Sequence, residues 1–122
     1  MGEDGKDILV VDDDIYLCDL IAEVLEAEGH SARKAANGRE ALEQIEERKP
    51  ELILLDLMMP VMNGWEVAAA LKSNPDWADI PVVLITADYD VERKRAETGA
   101  RAVITKPFDI EYLAQVVDTY SV

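Results

Sequence analysis

Polar residues able to do chemistry stand at the ends of apolar runs in this 122-residue chain. ILVV at 8–11 runs into Asp12, Asp13 and Asp14, LILL at 52–55 into Asp56, VVLI at 82–85 into Thr86, and AVIT at 102–105 into Lys106. Short apolar runs bounded in this way read as strands. In an open parallel sheet, ligands bind in the crevice beyond the carboxyl ends of the strands, so the four groups would share one edge. Carboxylates at the ends of the first and third strands need a reason to be close, because like charges ~4 Å apart repel by about 4 kcal/mol at an effective dielectric of 20. A divalent cation supplies that reason. Oxygen donors indicate Mg²⁺, with Mn²⁺ as the alternative, rather than zinc, whose histidine and cysteine donors are scarce here. The one histidine, His30, reads as a loop or strand-edge residue. Lys106 is a mobile point charge and Thr86 a hydroxyl donor, and both suit phosphoryl oxygens. Taken singly, such residues are ordinary turn formers, caps and surface charges; their coincidence at four strand ends points to Mg²⁺-assisted phosphoryl chemistry.

The elements that must position these groups follow from hydrophobic periodicity. Five short apolar runs are each followed by a stretch of helical period, the sequence form of a five-stranded α/β sandwich. After the first run, Leu17, Leu20, Ile21, Val24 and Leu25 form one helical stripe that Gly29 stops. A weak strand is expected at 31–35, then an Asn37-Gly38 turn and a helix with Ala41, Leu42 and Ile45 inward. The third run, apolar without alternation, fits a central parallel strand covered on both faces. Helices are expected at about 65–73, at 91–98 with Gly99 as C-cap, and at 110–120 with Ile110, Leu113, Val116, Val117 and Tyr120 toward the sheet.

Composition narrows the function further. The length allows one domain, and hydrophobic residues at 49% support an ordered core. Twelve basic against 26 acidic residues give a net charge of −14, which argues against direct contact with nucleic acid or an anionic membrane. The single cysteine, Cys18, excludes an intrachain disulfide and fits a reducing cytoplasm. The apolar runs are far shorter than the ~20 residues of a membrane span, and the N-terminus has no signal-like apolar region. No linker or repeat interrupts the chain, which is either a complete small protein or a domain separated from a longer one.

Five stretches taken in order are ILVVDDD at 8–14, NGREAL at 37–42, LILLDLMMPVMNG at 52–64, PVVLITA at 81–87 and GARAVITKPF at 99–108. With them the sequence resembles the receiver domain of bacterial two-component response regulators, the CheY-like family, across nearly its whole length. The resemblance implies a doubly wound, flavodoxin-like three-layer α/β sandwich with strand order 2-1-3-4-5, in one receiver domain at 1–122 with its ordered core at about 7–120. It implies phosphotransfer from a phosphohistidine of a sensor kinase or phosphotransfer protein to Asp56. By the same likeness Asp12 and Asp13 form an acidic pair, and Asp13, Asp56 and the backbone carbonyl of Met58 ligate Mg²⁺. Lys106 pairs with the phosphoryl oxygens. Thr86 swings in to them and shifts the face made by the fourth helix, fifth strand and fifth helix, on which a downstream partner or a second copy docks. The Lys106-Pro107 bond is expected to be cis.

Val103 departs from the family pattern, in which many members have an aromatic residue three positions before the lysine. A switch must then rely on Thr86, loop movement and helix-face packing. Met58 and Asp88 lie where the family tunes hydrolysis of the acyl phosphate. Asp14 reads as an N-cap or as an outer participant in the metal site, Trp65 as a half-buried aromatic opening a helix, and Arg93, Lys94 and Arg95 as a solvated helix face. Met58, Met59 and Met62 read as an adaptable surface or core filling. Two rivals remain. A phosphatase of the haloacid dehalogenase type would place its nucleophile after the first strand, leaving Asp56 unexplained, and would need a threonine where Tyr16 stands. A receiver-like module acting only by protein contact is not favoured, since the acids, threonine and lysine are all present. The chain is expected to be no enzyme beyond catalysing its own phosphorylation and dephosphorylation.

Overall fold

The structure, a computed structural model, describes residues 5–87 and 90–120. Strands and helices alternate throughout: β1 (Asp7–Val11), α1 (Ile15–Ala27), β2 (Ser31–Ala35), α2 (Gly38–Glu47), β3 (Leu52–Asp56), α3 (Gly64–Ser73), β4 (Val82–Thr86), α4 (Val91–Thr98), β5 (Ala102–Thr105) and α5 (Ile110–Tyr120). All neighbouring strands are parallel, in the order β2-β1-β3-β4-β5. This is the flavodoxin-like α/β sandwich.

Because successive strand residues point to opposite faces, the central strands feed two cores. Leu9, Val11, Ile53, Leu55 and Leu84 meet Ala41 and Ile45 of α2 and Val67 and Leu71 of α3. Ile8, Val10, Leu54, Val83 and Ile85 meet Cys18, Ile21 and Leu25 of α1 and Leu113, Val116 and Val117 of α5. Each such leucine or isoleucine contributes about 1.5–3 kcal/mol by leaving water, so the middle of the sheet is the rigid part.

The weak strand at 31–35 forms for a polar reason. Arg33 grips Asp7 of β1 with two bonds of 3.1 Å, and it donates to the carbonyls of Gln44 at 2.9 Å and Arg48 at 2.7 Å. One half-buried guanidinium thus ties the edge strand to β1 and α2. The first three helix starts are each capped by a side chain: Asp14 accepts from Leu17 N, Asn37 from Glu40 N, and Asn63 with Glu66 closes a capping box. Gly99 ends α4 with φ 75°, where a side chain would be strained.

The stripe expected on α1 needs correction. The buried positions are Cys18, Ile21, Ala22 and Leu25, while Leu20 is 49% exposed. The small Cys18 packs in the core with Ile21 and Leu25, while Leu17, on the edge of that core, and the exposed Leu20 border a surface groove with Pro107 and Phe108. The remaining elements lie within one residue of their expected bounds. Asp88 lies outside the described residues.

The loop between β3 and α3 holds one strained residue. Met62 N–H donates to Pro60 O at 2.7 Å, and Val61 between them has φ 69°. This is a γ-turn, and a β-branched residue at positive φ costs on the order of 1–2 kcal/mol. Its side chain is exposed and returns no packing. Replacing Val61 with Gly, which reaches positive φ with no side chain to clash, is expected to raise stability by about 1 kcal/mol. Urea denaturation should show a later midpoint at unchanged slope.

Candidate functional site

Asp12, Asp56, Thr86 and Thr98 are the buried polar or charged residues among those described. Thr98 is satisfied locally, donating to Lys94 O at 2.8 Å and accepting from Ala100 N at 3.2 Å. The other three stand together at the carboxyl edge of the sheet.

Strand pairing places each of them. Val11 is opposite both Ala35 and Leu55, and Asp12 N–H continues the ladder to Ala35 O at 3.1 Å. Asp56 is itself the last residue of β3, opposite Ile85, and Thr86 is the last of β4, opposite Thr105. Lys106 N–H donates to Thr86 O at 2.7 Å, after which the cis Lys106-Pro107 bond ends the strand. The polar groups are therefore extensions of rigid strands.

Side chains then converge. Asp12, Asp13 and Asp56 each offer an oxygen, and these atoms lie within 4.8 Å of one another. The Lys106 ammonium sits 2.9 Å from Asp12 Oδ2 and 3.5 Å from Asp56 Oδ2. Asp56 Oδ1 accepts from Met58 N–H at 3.3 Å, and Asp12 Oδ1 from Asp14 N–H at 2.9 Å. Asp13 is exposed and Lys106 partly so, which leaves the cluster open to solvent on one side. Such a donor set can hold a hard divalent cation, since it is all oxygen. The Met58 backbone borders it, with the side chain exposed.

Electrostatics match this crowding. Burial, reinforced by the Asp12 charge, lifts the Asp56 carboxyl to about 6 despite Lys106. Burial works against the Lys106 ammonium, but its hydrogen bond to Asp12 and the charges of Asp56 and Asp12 prevail and hold it above the ordinary lysine value. The Cys18 thiol donates to Asp12 O at 3.2 Å and is pushed up to about 12, first by burial and then by Asp12. It is a neutral strut under Asp12.

The response regulator receiver domain family matches residues 8–118. The chain belongs to that family. It is 36% identical over 118 residues to sporulation initiation phosphotransferase F of Bacillus subtilis, covering 95% of this chain and 94% of that protein. It is 42% identical over 106 residues to the phosphate regulon transcriptional regulatory protein PhoB of Pseudomonas aeruginosa, but spans only 46% of that protein's length. The chemotaxis protein CheY4 of Vibrio cholerae superposes with a TM-score of 0.88 at 29% identity, covering 95% of this chain and 98% of that one. The receiver domain is accordingly a phosphoacceptor of two-component signalling.

Within this receiver domain, every described residue expected at the site lies at the carboxyl edge of the sheet. Asp14 acts as the N-cap of α1. Met59 and Met62 pack on the core, while Met58 faces solvent. Trp65 is half-buried at the start of α3, and Arg93 and Arg95 are exposed. Lys94, by contrast, lies over the Trp65 ring, 5.1 Å from its centroid. The Cys18 strut and the bond from Trp65 Nε1 to Glu97 at 3.0 Å are not visible in the sequence, because neither residue type in isolation signals a partner.

The raised Asp56 pKa has a definite sign for stability. Protonated Asp56 favours the fold; that contribution is full below its ordinary value of 3.8 and is lost as pH rises through about 6. With EDTA present, Asp56→Asn is expected to exceed wild type by about 2–3 kcal/mol at pH 7–8. The gap should close toward pH 4. Urea titrations across this range measure it, and a pH-independent gap would rule out Asp56 burial as its cause.

Proposed function

We propose that Asp56 is the phosphoacceptor of this receiver domain, taking a phosphoryl group from a sensor kinase or phosphotransfer-protein phosphohistidine in a Mg²⁺-dependent reaction. The observation that carries the reading is the convergence of Asp12, Asp13 and Asp56 on one point, with the Lys106 ammonium 2.9 and 3.5 Å from two of them. Three carboxylates without imidazole or thiolate fit Mg²⁺. Asp12, Asp13, Asp56 and the Met58 carbonyl would hold it. When bound, Mg²⁺ offsets the clustered charge and draws phosphoryl oxygens toward Asp56.

The chain's own residues supply the rest. An Asp56 oxygen forms the new P–O bond as the P–N bond of the donor breaks, its electron pair passing to the imidazole. The Asp56 carboxylate, held at a strand end and bonded by Met58 N–H at 3.3 Å, is ionised at neutral pH and aimed into the cluster where the phosphoryl group arrives. Lys106 follows the charge onto the phosphoryl oxygens, and the buried Thr86 hydroxyl donates to them. The resulting acyl phosphate is open to water on the Asp13 side, so the domain catalyses both its phosphorylation and its return, and Met58 and Asp88 set how fast water arrives.

A groove of about 480 Å³ runs beside the site, bordered by Leu17, Leu20, Pro107, Phe108 and Ile110 with Lys106 in its wall. Ile15 and Tyr16 on α1 add exposed apolar surface. This continuity with Lys106 supports α1 as the place where the donor protein rests while its histidine meets Asp56. In this reading the domain works in the cytoplasm, without nucleic acid contact of its own. No helix among the described residues is long and apolar enough to cross a membrane. A partner, effector domain or second copy reads the change on α4, β5 and α5.

Intact mass after incubation with acetyl phosphate and Mg²⁺ tests the assignment. One phosphoryl adduct is expected, absent with EDTA and in Asp56→Asn, and formed on the order of 100-fold more slowly in Lys106→Ala. An adduct that persists in Asp56→Asn overturns the choice of residue.

A further inference from the structure

α4 is held by little apolar packing. Its sequence is VERKRAET, and Thr98 is its buried residue. No side chain caps its N-terminus through Asp90. What fastens its last turn is a set of polar contacts to α3. Trp65 Nε1 donates to Glu97 Oε1 at 3.0 Å, the Lys94 ammonium lies over the same indole, and Lys72 Nζ reaches Glu97 O at 3.4 Å. Arg93 closes the group with a 3.2 Å bond to Glu97 Oε2. Meanwhile the Trp65 ring rests on the core shared by β1, β3 and α2.

Trp65 is also mechanically tied to Asp56. Its neighbour Gly64 donates to Leu57 O at 2.9 Å, and a Cβ at position 64 would lie 2.5 Å from Asp56 O and 2.7 Å from Leu57 Cα. The first turn of α3 therefore lies directly on the backbone of the candidate acceptor. The other approach to α4 runs through Thr86, which ends β4 four residues before the Asp90 cap. β5, Ala102–Thr105, contains no aromatic residue, so the aromatic side chain touching α4 comes from α3.

We propose that Trp65, Glu97 and Lys94 form a clasp that holds α4 against α3 in the unphosphorylated domain and opens on phosphorylation of Asp56, freeing α4 as the output. The proposal rests on the reading of Asp56 as acceptor. A phosphoryl group adds a charge of about −1.5 to −2 beside the end of β4. As Thr86 turns to it, the end of β4 is drawn inward while Trp65 stays on the core. The strain falls on the clasp. Its bonds lie in solvent, where exposed ion pairs are weak, so it yields before the apolar packing of α3 does, and a helix with so few buried contacts opens locally at low cost.

The test uses the full chain with Trp77→Phe, which leaves Trp65 as the single tryptophan. Hydrogen exchange over 91–98 and tryptophan emission are followed before and after acetyl phosphate with Mg²⁺, with intact mass on the same samples. Phosphorylation is expected to speed exchange in α4 on the order of tenfold and to shift Trp65 emission to the red. Glu97→Ala should show the fast exchange without phosphate, with protection elsewhere unchanged. Glu97→Gln, whose side-chain oxygen still accepts from the indole, should restore it. Slow exchange in Glu97→Ala overturns the clasp, and so does an adduct that leaves α4 unchanged. If no adduct forms, the acceptor reading fails, the mass shows it separately, and the contact is only a static brace.

Discussion

Two buried aspartates, Asp12 and Asp56, meet at the ends of adjacent strands, and everything around them answers to their repulsion. Neither could hold such a position from a mobile loop. Each is fixed by the sheet, Asp56 as a paired strand residue and Asp12 by a ladder bond to Ala35 O. Lys106 reaches them across the sheet edge from the end of β5 and offsets part of the charge. Burial, with the Asp12 charge adding to it, still holds the Asp56 carboxyl up at about 6. In the proposed reading a divalent cation would supply the further positive charge that the clustered oxygens can take.

Strain and close approach gather on the loop that follows Asp56, while the strands are regular. Val61 takes a positive φ that a valine adopts only under constraint, and Gly64 comes so near Asp56 O that no side chain would fit. Both features turn the chain sharply, bringing α3 back over β3 and leaving the Met58 backbone beside the carboxylates. The capping box of Asn63 and Glu66 then fixes where α3 begins. The apolar cores on both faces make this affordable, because they hold the sheet rigid whatever the loop does.

Most of this architecture is legible in the sequence because it rests on periodicity. Continuous apolar runs give β1, β3 and β4, and the polar residue closing each run marks the site. The strand at 31–35 is harder to see, as it depends on Arg33 finding Asp7 and two carbonyls, contacts that no local pattern encodes. Leu20 misleads for a related reason: hydrophobicity cannot tell a residue facing the core from one lining a groove beside it, whereas the small Cys18 and Ala22 are the ones buried. Glu97 is invisible altogether. In a helix rich in charge, nothing singles out the carboxylate that meets an indole 32 residues away.

Net charge explains why signalling here must travel by contact. The chain carries −14, and one more phosphoryl group changes its distant field little once salt screens beyond about 10 Å. Within the site the same group would act strongly in the proposed reading, competing with Asp12 for Lys106 and drawing on Thr86 at the end of β4. The consequence would then leave by the elements attached to these residues: the end of β4, and the first turn of α3 lying on Asp56. Those two paths converge on α4, which has a polar sequence, scant burial and solvent-exposed fastenings. A helix built that way is a poor brace and a good moving part.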